Sequence, residues 1–156
     1  MNKIEADEQQ FFTFLSEVSK KTGKVPVKEV VEKCNTMGID YLRSIKELDL
    51  SHCALTEVPE SIKALRNLEE LKLINNRLTN LPKNLIELDE LDLIRLEHNE
   101  LESFPPSLLA LVKKRMLAEK STDVFLRNNP MDFVPRSIES MIATRPHCDT
   151  FDDYSS

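Results

Sequence analysis

The sequence predicts an α/β fold: a short, right-handed superhelical solenoid of about four strand-and-turn units, capped by an N-terminal helical hairpin. The parallel strands of the units form one concave sheet. Three observations carry this reading. One spacing of apolar residues, at neither a steady period of 2 nor one of 3.6, returns four times along the chain. An apolar–proline pair recurs at the same place in each return. The residues before the first return show helical spacing instead.

Residues 1–44 form the cap. Residues 1–9 are polar and are expected to fray. Phe11, Phe14, Leu15 and Val18 lie at i, i+3, i+4 and i+7, the stripe of an amphipathic helix, with Phe12 on its flank. Lys20-Lys21-Thr22-Gly23 ends that helix, basic in the last turn and glycine at the exit. Pro26 opens a second helix with a stripe of Val27, Val30, Val31 and Cys34, closed by Gly38. A solenoid needs its open end covered, and this hairpin is placed to cover it.

Residues 45–141 carry the repeats. The unit opening at Leu68 has Leu71 and Leu73 two apart, then Asn76, Leu78, Leu81-Pro82, Leu85 and Leu88. A short strand, a bend and a loose helical turn would bury all of these on one side. The first copy reads Ile45, Leu48, Leu50, Cys53, Leu55, Val58-Pro59, Ile62 and Leu65. The third reads Leu91, Ile94, Leu96, Asn99, Leu101, Phe104-Pro105, Leu108 and Leu111. The fourth keeps Val124, Leu126, Asn129, Met131, Val134-Pro135, Ile138 and Met141 behind Ser121. The starts at 45, 68, 91 and 121 are two steps of 23 residues and one of 30, so seven residues are inserted before the last copy.

This pattern resembles the leucine-rich repeat. Its 23-residue period with Leu-Pro after the Asn turn looks like the subclass of Ras-suppressor and scribble-type proteins. Small bacterial leucine-rich effectors carry related repeats. In the bacterial ligases of that kind most repeats are shorter, and their large catalytic domain has no counterpart here. The resemblance implies a protein-binding solenoid. Physically, the Asn of each unit turns into the core, where its amide can bond backbone groups left without sheet partners. The expected ladder is Cys53, Asn76, Asn99 and Asn129, with the weakly donating thiol as a terminal rung.

The insertion, about residues 106–120, reads as one helix on the convex side. Leu108, Leu111, Val112, Met116 and Leu117 make its apolar stripe. Its Lys113-Lys114-Arg115 run is a solvated face or, less simply, a site for an acidic partner. Ser137 to Ala143 is expected to be a closing helix, and residues 142–156 the cap end and an acidic tail.

Composition narrows the function. The chain has 156 residues, a net charge of −6, only two glycines and three cysteines. So few glycines argue against phosphate-binding loops, and no continuous basic stripe faces nucleic acid. The odd, irregularly spaced cysteines favour a reducing compartment. No apolar run is long enough for a cleaved signal or a membrane span. A cytoplasmic monomer is expected, with export into a host cell by a non-cleaved signal as the alternative.

Function is expected on the outward strand positions. These are Glu47, Asp49, Ser51 and His52; Glu70, Lys72, Ile74 and Asn75; Leu93, Arg95, Glu97 and His98; and Asp123, Phe125, Arg127 and Asn128. Ile74, Leu93 and Phe125 form an apolar centre rimmed by charge, the anatomy of a protein–protein contact. The expected protein-binding residues are Asp49, His52, Glu70, Lys72, Ile74, Leu93, Arg95, Glu97, His98, Phe125 and Arg127. Phe125 with Arg95 or Arg127 are the expected hot spots. No cofactor is expected. His52 and His98 lie two repeats apart, too far for one zinc. His147-Cys148-Asp149 leaves a thiol enzyme as a distant alternative.

Overall fold

The computed structural model describes residues 2–131. Helix α1 spans Lys3–Thr22, so the polar start is helical rather than frayed. The Asn2 side chain accepts from the Glu5 amide while Glu5 reaches back to the Asn2 amide, a reciprocal cap that holds the first turn. Glu8 adds a second anchor. It is fully buried and pairs with Arg43, whose guanidinium pKa the carboxylate raises further. That partner is thirty-five residues away in sequence, which is why the apolar pattern alone missed this end of the helix.

Gly23 ends α1 in the left-handed region, at φ 62°, and its amide bonds the Ser19 carbonyl. Helix α2 spans Val25–Met37, with Pro26 in its first turn and Gly38 at its exit. Phe11, Leu15, Val18, Val27 and Cys34 are buried as expected, in one core with the first repeat. Burial pushes the Cys34 thiol up to about 11, and burial likewise raises that of Cys53. A 3₁₀ turn, Ile39–Ser44, connects α2 to the sheet.

Four three-residue strands follow: β1 Glu47–Asp49, β2 Glu70–Lys72, β3 Leu93–Arg95 and β4 Asp123–Phe125. They are parallel in the order β1-β2-β3-β4. The register puts Leu48, Leu71, Ile94 and Val124 side by side, all buried. The next inward row, Leu50, Leu73, Leu96 and Leu126, is buried too. The α2 helix packs against β1 and α1 against the first convex turn, so the hairpin covers that edge of the sheet.

Behind the strands the predicted ladder forms. Asn76 Oδ1 accepts from the amides of Cys53 and Leu55, and its Nδ2 donates to the carbonyls of Leu50 and Leu73. Asn99 bonds Leu78, Leu73 and Leu96, and Asn129 bonds Leu101, Leu96 and Leu126. Each amide thus ties its own repeat to the one before it. Cys53 has no earlier repeat to tie; its Sγ lies 3.4 Å from Ser51 O and also faces the Thr22 side chain.

On the convex side the first two repeats end in 3₁₀ turns, Glu60–Ala64 and Lys83–Glu87, opened by Pro59 and Pro82. The third repeat carries α3, Pro106–Leu117. Its buried stripe differs from the expected one. Leu108, Leu111 and Val112 are buried, but so is Arg115, while Met116 and Leu117 are exposed. Arg115 donates to Asp92 Oδ1 at 2.5 Å, Thr122 Oγ1 at 2.8 Å and Ser121 O at 2.9 Å, and also to Asp89 O. It is a strut rather than part of a free basic face. Lys114 is held by Asp89 as well. The fourth unit beyond Met131, the closing helix, the acidic tail and Cys148 lie outside the described residues.

Candidate functional site

The outward residues of the four strands stand in rows across the sheet. Register sets Glu47, Glu70, Leu93 and Asp123 in one row, and Asp49, Lys72, Arg95 and Phe125 in the next. Ser51, Ile74, Glu97 and Arg127 follow two residues on. The ladder continues past the short strands, because the amides of His52, Asn75 and His98 bond the carbonyls of Ile74, Glu97 and Arg127. That pairing stops at a shared turn. His52, Asn75, His98 and Asn128 have φ of 58°, 58°, 58° and 61°. Asn and His enter the left-handed region more readily than most residues, so this row is chosen by the backbone as much as by any ligand.

The turn row pairs within itself. Asn75 Nδ2 donates to His52 Nδ1 at 2.9 Å, and Asn128 Nδ2 lies 3.2 Å from His98 Nε2. Each histidine is therefore matched with an asparagine on the neighbouring strand. Among the described residues no three His, Cys, Asp or Glu side chains group as a metal site.

The centre of the face is more organised than a list of outward residues suggests. Lys72 Nζ meets Glu47 Oε1 at 2.5 Å, and this carboxylate raises the lysine pKa. Asp49 Oδ1 accepts from the Ser51 amide at 2.9 Å, and Ser51 Oγ accepts from the Ile74 amide at 3.1 Å. Arg95 gives both Nε, at 2.9 Å, and Nη2, at 2.5 Å, to Glu97 Oε1. The Arg95 guanidinium also lies over the Phe125 ring, 5.1 Å from its centroid, a cation–π contact.

Ile74, Leu93 and Phe125 are part-buried, as are Glu70 and Lys72, while His52, His98 and Arg127 are exposed. Glu97 departs from expectation. It was placed among the outward residues, yet it is only 5% exposed. Its pairing with Arg95 accounts for one carboxylate oxygen and draws it into the surface. Its Oε2 has no hydrogen-bond partner among the described residues, a deficit that costs about 1–3 kcal/mol for a buried polar group. Sequence reasoning could not find this, since Arg95 and Glu97 are separated by one residue and nothing in that spacing fixes which oxygen is used.

With fold and face in view, the likeness to known proteins is decisive. Residues 40–101 match the family described as Leucine rich repeat. The chain carries a leucine-rich-repeat array. A leucine-rich-repeat protein of Leptospira interrogans superposes with a TM-score of 0.54 at 30% identity, over 67% of this chain and 25% of that one. The leucine-rich repeat domain of the type III effector XopL superposes with a TM-score of 0.52 at 14% identity, over 88% of this chain and 49% of that one. This leucine-rich-repeat chain thus spans a quarter of the first relative's length and about half of the second's. No curated protein matches its sequence. No helix among the described residues is long and apolar enough to cross a membrane.

Proposed function

We propose that the chain is a non-enzymatic interaction module that captures a protein partner on its concave face. The Arg95–Glu97–Phe125 cluster supports this reading most directly. An arginine fixed by a buried carboxylate and stacked on an aromatic ring is pre-organised, so little side-chain entropy is lost when a partner docks on it. Leu93 on β3 itself and Ile74 just past β2 give the cluster an apolar surround, and Lys72, Glu70, Asp49 and Arg127 form the charged rim. His52 and His98 stand at the turn edge of the same surface.

Affinity capture with mass spectrometry identifies the partner, and Phe125→Ala and Arg95→Ala test the face. Each substitution is expected to weaken that partner by about 1–3 kcal/mol. Circular dichroism unchanged from the parent chain shows that the fold is intact. Equal recovery of the partner by the parent chain and both variants rejects the concave face as the binding surface.

A further inference from the structure

We propose that the partner segment is basic and extended, with two cationic side chains about four residues apart. This rests on the concave face being the binding surface, and two independent observations specify the chemistry. The first is the balance of charge. Lys72 is engaged by Glu47 and Arg95 by Glu97, whereas Glu70 and Asp49 have no ion-pair partner among the described residues. The half of the face nearest the cap therefore sets three carboxylates, Glu47, Asp49 and Glu70, against the one ammonium of Lys72, an excess of negative charge for whatever docks there.

The second observation is the Glu97 carboxylate. It is nine-tenths buried, its Oε1 takes both Arg95 donors, and its Oε2 accepts from none of the described residues. An arriving ammonium or guanidinium supplies the missing donor. Arg95 bridges Glu97 to the Phe125 ring with its side chain 40% exposed, so the pair stands at the surface a partner meets. An acidic or neutral segment would leave both carboxylates unanswered.

Placement sets the spacing. Glu70 and Glu97 lie on neighbouring strands and four residues apart along the strand direction, which separates their backbones by roughly 14 Å. An extended chain covers that span in about four residues. Lys72 and Arg95 stand in the row between, each already held by its own carboxylate, while Leu93 and Ile74 lie beside Glu70 and Glu97.

The test uses the full chain as bait for a phage-displayed random-peptide library, followed by calorimetric titration of one enriched peptide. The expected selection is Lys or Arg pairs at the stated spacing. Glu70→Gln and Glu97→Gln are each expected to weaken the peptide about tenfold and to flatten its salt dependence. Glu70 is part-exposed, so its variant keeps the test sound should Glu97→Gln disturb the fold. Enrichment of acidic or neutral peptides, selection of nothing above background, or unchanged affinity in both variants overturns the proposal. Peptides that ignore the glutamates but fail on Phe125→Ala defeat the basic partner and leave the concave face standing. Peptides that bind the Phe125→Ala variant equally well defeat both.

Discussion

Single residues do separable work in this molecule. Asn76 makes four buried hydrogen bonds to backbone groups of two repeats, whereas the Cys53 thiol at the equivalent position offers only weak contacts, to Ser51 O and the Thr22 side chain. Asn76→Ala strips the Cys53 and Leu55 amides and the Leu50 carbonyl of this partner inside the array, while the Leu73 carbonyl keeps Asn99, and is expected to cost about 3–5 kcal/mol. Cys53→Ala removes little beyond a sulfur and is expected to cost about 1 kcal/mol. Urea unfolding of the two variants measures both, and comparable losses would contradict the ladder as described. The left-handed row obeys a different rule. Its two His–Asn pairs face solvent, and the residue types there follow from the turn.

Among the elements, α3 shows how an insertion is absorbed. The repeat needs only a short convex turn, so an extra helical length must be fastened at its far end. Pro105 and Pro106 start the helix, and Arg115 fixes it to the loop at Asp89–Asp92 and to Ser121-Thr122 before β4. Arg115→Ala strands those acceptors and is expected to destabilise the chain by about 3–5 kcal/mol. Arg115→Lys is expected to recover only part of this, because one ammonium cannot reproduce the planar fork. Lys113→Ala, at an exposed neighbour, is expected to change stability by less than about 0.5 kcal/mol. Thermal melts of the three variants rank them, and an Arg115→Ala melt equal to that of Lys113→Ala would show the strut to be idle.

For the whole molecule, stability passes from neighbour to neighbour, and the cap closes the series. Phe11, Leu15 and Val27 belong to the same buried cluster as Leu48, Leu50 and Ile62. Removing residues 1–38 uncovers that core and the edge of β1 together. The shortened chain is expected to lose its cooperative melt and to elute as aggregate on size exclusion. A monomer with the parent melting temperature would mean that the repeats stand without the hairpin.

Much of this was legible in the residues. The four-fold recurrence determines the solenoid, the inward leucines and the asparagine ladder, because a strand's alternation and a shared turn leave one way to bury those positions. Leu71, Leu73 and Asn76 could be placed from spacing alone, and so could the convex helix after Pro106. Glu8, Arg115 and Glu97 could not. Each is a charged residue, which pattern assigns to solvent, and each is buried through an interaction that the apolar periodicity does not encode. Glu8 waits for Arg43, Arg115 for Asp92 and Ser121, and Glu97 for an arginine whose own direction depends on Phe125 one strand away. Periodicity reports what water rejects, and so it determined the core. Which polar groups follow the core inward depends on partners assembled by the stacked repeats, and only the tertiary structure decided that.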